Sequence, residues 1–443
     1  MPKIAIYFTI RSPCLTIGRK QSPVIPEFRQ RICAKNQDSR YPSMNRIKSL
    51  FLPAKLRADY ADAGDFLRVA SVALVGWFHI WQQSWQNPDL HLFGRSFRIY
   101  PMVSCGYMFV DLMLLLSGFL LMLGWQSGRG KNLRDFYTAR AARILPSYLL
   151  CIAIMLFVFA LPGKLYSSTG AMWKDLLTHL TFTHNFFYDT YIATRLNVAL
   201  WTLAVEVQFY LIFPLLARAF DRAPAYTWCG MVSLAMLIRL TVIFFAKDSS
   251  IYFNRLTAML DVYANGMLAA HIYKKLAEKP QSTWRAWLST ALTILAAVGI
   301  YRILCSQHGR SGGENIRLGQ MLWRFPLSTL GCVFLVCGSR SIRLLRALFS
   351  NRVVRFLSGL SFNFYIWHQF LAVKLKEWRI PYYEGVNPNQ AGLQPWQNQY
   401  TLYCFVGSLL LSLLITYLVE KPCARWIKRR RSARKGLETK PAS

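Results

Sequence analysis

Ten apolar windows, each about the length needed to cross a bilayer, constrain this chain more than any other feature. They fall near residues 66–84, 105–124, 144–161, 201–217, 227–246, 256–273, 286–304, 320–338, 356–375 and 400–419. Inside a bilayer every backbone N–H and C=O must be paired within its own segment, so such windows become helices, and ten of them become an all-α polytopic bundle. The chain has 443 residues, 54% apolar and only 16% charged, a balance that excludes an ordinary soluble enzyme. A formal net charge of +33 would suit nucleic acid. The basic residues, however, fall between apolar windows rather than on one polar module, so no nucleic-acid partner is expected.

The same basic residues set an orientation. With the N-terminus in the cytoplasm, the loops on that side carry sixteen Lys or Arg and the opposite loops eleven, while the two tails add twelve and nine to the cytoplasmic side. Both termini are therefore expected in the cytoplasm. Residues 1–64 read as a basic tail, either disordered or the product of an upstream start, because Met44 precedes a second basic stretch. Residues 65–422 read as the membrane domain. The last helix is expected to stop near Pro422, leaving residues 423–443 as a basic tail on anionic headgroups. The long outer loop, residues 162–200, is apolar enough to lie in the interface. Ten cysteines without a CxxC pair point to neither a metal site nor a disulfide framework.

Ionisable residues inside such windows are costly, about 2.5–3.5 kcal/mol each at a helix centre on the insertion scale. In the first window Arg68 and His79 stand eleven residues apart, which returns them almost to one helix face, roughly 16 Å apart along it. Asp111, Glu206, Arg239, Asp261, Arg324 and His368 all fall in the outer parts of their windows. Shared depth of this kind requires a common polar cavity or mutual pairing, and a hydrophilic cleft open to the outside is expected. At the opposite edge FYTARAARILP places Arg140 and Arg143 three residues apart on one face, a spacing at which guanidinium groups can fork onto phosphate oxygens. A lone arginine before a span often only sets topology, and a lone histidine often only bonds a neighbouring helix. Together, the arginines and the aligned Arg68–His79 pair suit a long donor with an anionic head and a reactive tip, such as a coenzyme A thioester.

These segments resemble, in order, the acyltransferase-3 family of integral membrane O-acyltransferases. The matching pieces are Arg68 with His79, FVDLMLLLSGFLL, the RAAR pair, LWTLAVEVQFYLIFPLL, LSFNFYIWHQFL and VEKPCARW, spread over residues 60–426. The resemblance implies about ten helices, a cytoplasmic acyl-CoA donor, commonly acetyl-CoA, no permanently bound cofactor, and a hydroxyl acceptor on an envelope polysaccharide or lipid-linked saccharide. It maps the essential histidine onto His79, its partner arginine onto Arg68, and the donor-binding pair onto Arg140 and Arg143. The family's SVE segment falls on Ala204, Val205 and Glu206, with Ala204 in place of serine and Val207 in place of a frequent second glutamate. Ser117 in the SGF motif and His368 in the WH motif also match.

The expected mechanism has neutral His79 removing the acceptor proton, Glu206 orienting its ring, Arg140 and Arg143 holding the donor phosphates, and Arg68 lining the channel. Asp111, Ser117, Arg239, Asp261, Arg324 and His368 are expected around the substrate cavity. The implied setting is the bacterial cytoplasmic membrane, with transfer completed by this chain or handed to a separate extracytoplasmic acyltransferase. The rival reading is a polytopic transporter or exporter of a polar envelope precursor, since charged residues in an outward cavity also describe a carrier.

Overall fold

The structure, a computed structural model, describes residues 60–92, 95–385, 388–389 and 392–438. The tail expected over residues 1–64 lies outside the described residues up to residue 59, as do residues 439–443 of the C-terminal tail.

The first apolar window forms α1 (Asp62–Ser84), which ends on Trp85 in the left-handed region. A short antiparallel hairpin, β1 (Asp89–Leu92) and β2 (Arg95–Arg98), leads through α2 (Tyr100–Ser104) and a tight turn to α3 (Phe109–Gln126). Asn132 caps α4 (Leu133–Ile154), its side chain accepting from the Asp135 backbone N–H; a π-helical turn, Met155–Ala160, extends that helix. The long loop then folds as α5 (Thr169–Leu180) and α6 (Tyr188–Tyr191). Next come α7 (Trp201–Arg222), α8 (Pro224–Phe245), α9 (Leu260–Ala277), α10 (Thr283–His308), α11 (Gly313–Gly338) and α12 (Arg343–Phe349). The chain closes with α13 (Arg352–Glu377), α14 (Trp396–Ile415) and α15 (Lys421–Glu438).

Among the described residues, eight helices are long and apolar enough to cross a membrane. The other two windows are helical as well, α9 with 18 residues and α13 with 26. Their polar content explains the difference: α9 buries Asp261 and Asn265, and α13 buries Asn363 and His368. Outward-facing side chains are apolar where lipid would meet them, with Leu215 69% exposed, Phe245 82% and Leu418 70%. This is a multi-pass membrane protein.

The centre of the bundle is the pair α3 and α9. Every residue of α9 from Leu260 to Met267 is buried, so this helix has no free face there. A Cβ added at Gly266 would fall on the Leu115 carbonyl, and one at Gly118 would come within 2.7 Å of the Tyr263 carbonyl. The two backbones touch, and glycine is required on both. The glycine of the SGF motif thus serves packing.

One feature departs from expectation. Pro422 does not end the last helix: α14, a π-helical turn, Thr416–Glu420, and α15 run on without a break, and the wider turn just before the proline accommodates its ring and missing N–H. Asn363 holds that turn by donating to Thr416 Oγ1 and Glu420 Oε2 at 2.8 and 2.7 Å. In the loop after α4, α5 is inverted, with Asp175 and His179 buried and Trp173, Leu177 and Leu180 exposed along one face. That arrangement suits an interfacial helix. His179 stacks on His184 at 3.9 Å, and burial, followed by that neighbouring ring, holds His184 well below the usual imidazole range.

Candidate active site

Two cavities that gather ionisable side chains lie along α1. The first, about 90 Å³, is lined by Arg68, Arg140, Arg143, Ser117, Glu206 and Tyr210 among others. Five of these six were singled out from the sequence, and they come from four different helices. Arg140 and Arg143 reach it from the same face of α4. The Arg140 guanidinium lies 5.5 Å from the Phe136 ring and 5.6 Å from that of Tyr210. Aromatic faces on two sides therefore hold a cation that no described carboxylate bonds. Arg68 Nη1 approaches Ser358 Oγ at 3.5 Å, and that hydroxyl donates to Asp65 at 2.8 Å.

Glu206, on α7, accepts from Ser117 Oγ at 2.9 Å and from the Tyr210 hydroxyl at 2.5 Å, both on Oε1. The carboxylate is thereby fixed in place, facing three arginines in the same cavity. Tyr210 was missed at the sequence level, although it stands one helical turn beyond Glu206 on the same face.

The second cavity is larger, about 560 Å³, and takes in the far end of α1 with His79 and Gln82, together with Tyr100, Ser104, Tyr107 and Gln369. His79 Nδ1 lies 2.9 Å from Gln82 Oε1. An amide oxygen can only accept, so Nδ1 carries the proton in the neutral ring and Nε2 is left with its lone pair. Across the cavity Ser104 Oγ and His308 Nδ1 are 2.8 Å apart. The wall mixes hydroxyls, amides and aromatic rings with two arginines, Arg310 and Arg317.

Val110 and Tyr365 line both cavities. The partition between the arginine cavity and the histidine cavity is therefore a single layer of side chains.

The structure corrects several expectations. Glu206 does not orient His79; the two line different cavities, and Gln82 is the residue bonded to the imidazole. Asp111, Arg239, Asp261 and Arg324 line neither cavity. They form two buried ion pairs, with Arg324 Nε 3.1 Å from Asp111 and Arg239 Nη2 2.6 Å from Asp261. Arg324 also donates to the Phe253 carbonyl at 2.6 Å and to Asn254 Oδ1 at 3.2 Å, tying α11 to α3 and to the loop before α9. Mutual pairing accounts for these charges without a substrate. His368 is fully buried behind the histidine cavity, its Nδ1–H donated to the Tyr365 carbonyl at 2.7 Å and its ring 5.2 Å from that of His79. Only its neighbours Tyr365 and Gln369 reach the wall.

The acyltransferase-3 family model, an acyltransferase domain, matches residues 63–421. The chain belongs to that family. It is 23% identical over 286 residues to the peptidoglycan O-acetyltransferase OatA of Listeria monocytogenes, 59% of this chain and 44% of that protein. It is 24% identical over 293 residues to the putative peptidoglycan O-acetyltransferase YrhL of Bacillus subtilis, again 59% of this chain and 44% of the relative. The acyltransferase MdmB of Streptomyces mycarofaciens is 30% identical over 141 residues, 30% of this chain and 34% of that protein. The chain spans less than half the length of these relatives. No solved structure matches it. The matched family is one of acyltransferase domains, not of carriers.

Proposed function

We propose that this protein transfers an acyl group, acetyl in the first instance, from acyl-CoA at the arginine cavity to a hydroxyl of an envelope saccharide in the histidine cavity, across the bacterial cytoplasmic membrane. The observation that carries the reading is the shared wall. Two cavities of different chemistry, one with three arginines around Glu206 and one with hydroxyl, amide and imidazole groups beside two arginines, meet at Val110 and Tyr365. A slender thioester can reach that layer from one side and a sugar hydroxyl from the other.

Arg140 and Arg143 take the donor's phosphates at the mouth, and Arg68 lines the path of the thioester. Glu206, held by Ser117 and Tyr210, offsets part of this positive charge and keeps the arginines from repelling one another out of position. At the partition the acceptor oxygen attacks the thioester carbonyl. His79 Nε2 removes its proton, with Gln82 fixing the tautomer that makes this nitrogen a base. The C–S bond breaks, and the proton passes from the imidazolium to the departing thiolate, so ester and free CoA are the products. No acyl-enzyme is required. Anionic lipids at the donor side would meet the basic loops and the basic stretch of α15.

The test is acyl transfer from labelled acetyl-CoA to envelope glycans in membranes carrying His79→Ala. A loss of about 10²–10⁴-fold is expected for removal of a general base. Near-normal turnover would take His79 out of the mechanism.

A further inference from the structure

No Asp or Glu lies among the described residues that wall the histidine cavity, whereas two arginines, Arg310 and Arg317, do. Arg317 is occupied: it pairs with Glu314 and reaches Asp248 at 3.5 Å. Glu314 is itself engaged by the Ser249 hydroxyl at 2.8 Å. Arg310 has no such partner. Its side chain makes one hydrogen bond, from Nη1 to Asn315 Oδ1 at 3.1 Å, its Nε is buried without an acceptor, and no described carboxylate pairs with it. That Nε is packed against Gly319, so a ligand in the cavity meets the outer edge of the guanidinium, where the described residues supply only the Asn315 acceptor to Nη1 and none to Nη2.

The arginine is also held in place. A Cβ at Gly319 would lie 2.6 Å from Arg310 Nε and would overlap its Cδ and Gln307 Oε1. The absence of a side chain on α11 thus makes the seat for the Arg310 stem. Gln307 completes it by donating to the Tyr107 hydroxyl at 2.7 Å and to the Ile316 carbonyl at 2.9 Å. A side chain fixed at the stem with its charge left open is pre-organised for an anion.

We propose that Arg310 recognises an anionic group on the acceptor, so that the histidine cavity takes a charged saccharide, through either a sugar carboxylate or the phosphate of a lipid carrier. Naming the ligand an acceptor rests on the acyl-transfer reading above; the anion site itself does not. A neutral glycan presents hydroxyl donors, for which carboxylates are the strongest acceptors, and this wall offers none among its described residues. It offers instead a guanidinium that no described carboxylate neutralises, with Nη2 unbonded by the described residues.

The test uses the full-length protein in nanodiscs. Binding and labelled acetyl transfer are measured with oligoglucuronate against its methyl ester, and with farnesyl-diphosphate-linked N-acetylglucosamine against the free sugar. The wild type should bind at least one charged member about tenfold more tightly than its neutral counterpart, the size of one charge-assisted hydrogen bond to an arginine. Whichever pair shows the preference identifies carboxylate or phosphate as the anion. Arg310→Gln should abolish the preference by weakening only the charged ligand. Gly319→Ala should do the same by displacing the stem, while Arg302→Gln, an exposed arginine outside the cavity, should keep it. Equal binding of charged and neutral members by the wild type, or a preference that survives Arg310→Gln, overturns the proposal. A preference in binding without acetyl transfer to any ligand would leave the anion site standing and overturn the acyl-transfer reading.

Discussion

Replacing Arg324 by methionine would leave Asp111 alone in the centre of the bundle. Both side chains are fully buried, and the guanidinium bonds both carboxylate oxygens, at 3.1 and 3.2 Å, as well as the Phe253 carbonyl and Asn254 Oδ1. Removing one member of a buried pair leaves an uncompensated charge and costs about 3–5 kcal/mol. The orphaned carbonyl and amide oxygens add to that unless they find water. Asp111→Leu together with Arg324→Met removes the charge from both sides. That double variant should recover most of the loss, keeping only the cost of the orphaned acceptors, roughly 1–3 kcal/mol. The assay is thermal unfolding of the detergent-solubilised protein, paired with acetyl transfer per folded molecule. The expected pattern is a severe loss of stability in the single variant, partial recovery in the double, and transfer per folded molecule close to wild type in the double. A single variant that stays stable and loses transfer would refute the reasoning and return Arg324 to the substrate.

Other outcomes follow from the same geometry. Tyr210→Phe keeps the aromatic face beneath Arg140 but removes one of two donors to Glu206, which steadies the phosphate-binding arginines, so KM for the donor should rise about tenfold with little change in kcat; an unchanged KM would separate the Glu206 cluster from donor binding. Arg143→Ala should raise KM for acetyl-CoA about tenfold or more with little change in kcat, read from steady-state kinetics in membranes. Gly266→Ala should lower thermal stability by about 1–3 kcal/mol because α9 would have to leave α3. Gly230→Ala, which meets nothing within 4 Å on α8, should be neutral or mildly stabilising.

Much of this arrangement was legible in the sequence because it depends on spacing along single helices. The length of the apolar windows made the bundle. The three-residue step from Arg140 to Arg143 put both on one face, and the eleven-residue step from Arg68 to His79 put one group in each of two cavities along α1. What spacing cannot carry is the partner across the bundle. Asp111 and Arg324 lie 213 positions apart in the chain. Their shared depth was visible, but depth does not distinguish a charge facing a cleft from one facing its counter-ion. The same gap misled the pairing of His79 with Glu206: both lie inside, but helix tilt and rotation assign them to opposite sides of the Val110–Tyr365 layer. Gln82 and Tyr210, three and four residues from His79 and Glu206, were within reach of local helix geometry.

The wall shared by the two cavities is where the account is most exposed to experiment. Val110→Trp fills that layer from α3 and leaves every arginine and His79 in the chain. Acetyl-CoA binding and acetyl transfer would be measured on the same nanodisc preparation. Binding within about twofold of wild type with transfer reduced at least about a hundredfold is the expected result, since even a small misplacement of reacting groups carries a penalty of that size. Transfer that continues at the wild-type rate through a plugged partition would contradict the passage of the acyl group between the two cavities.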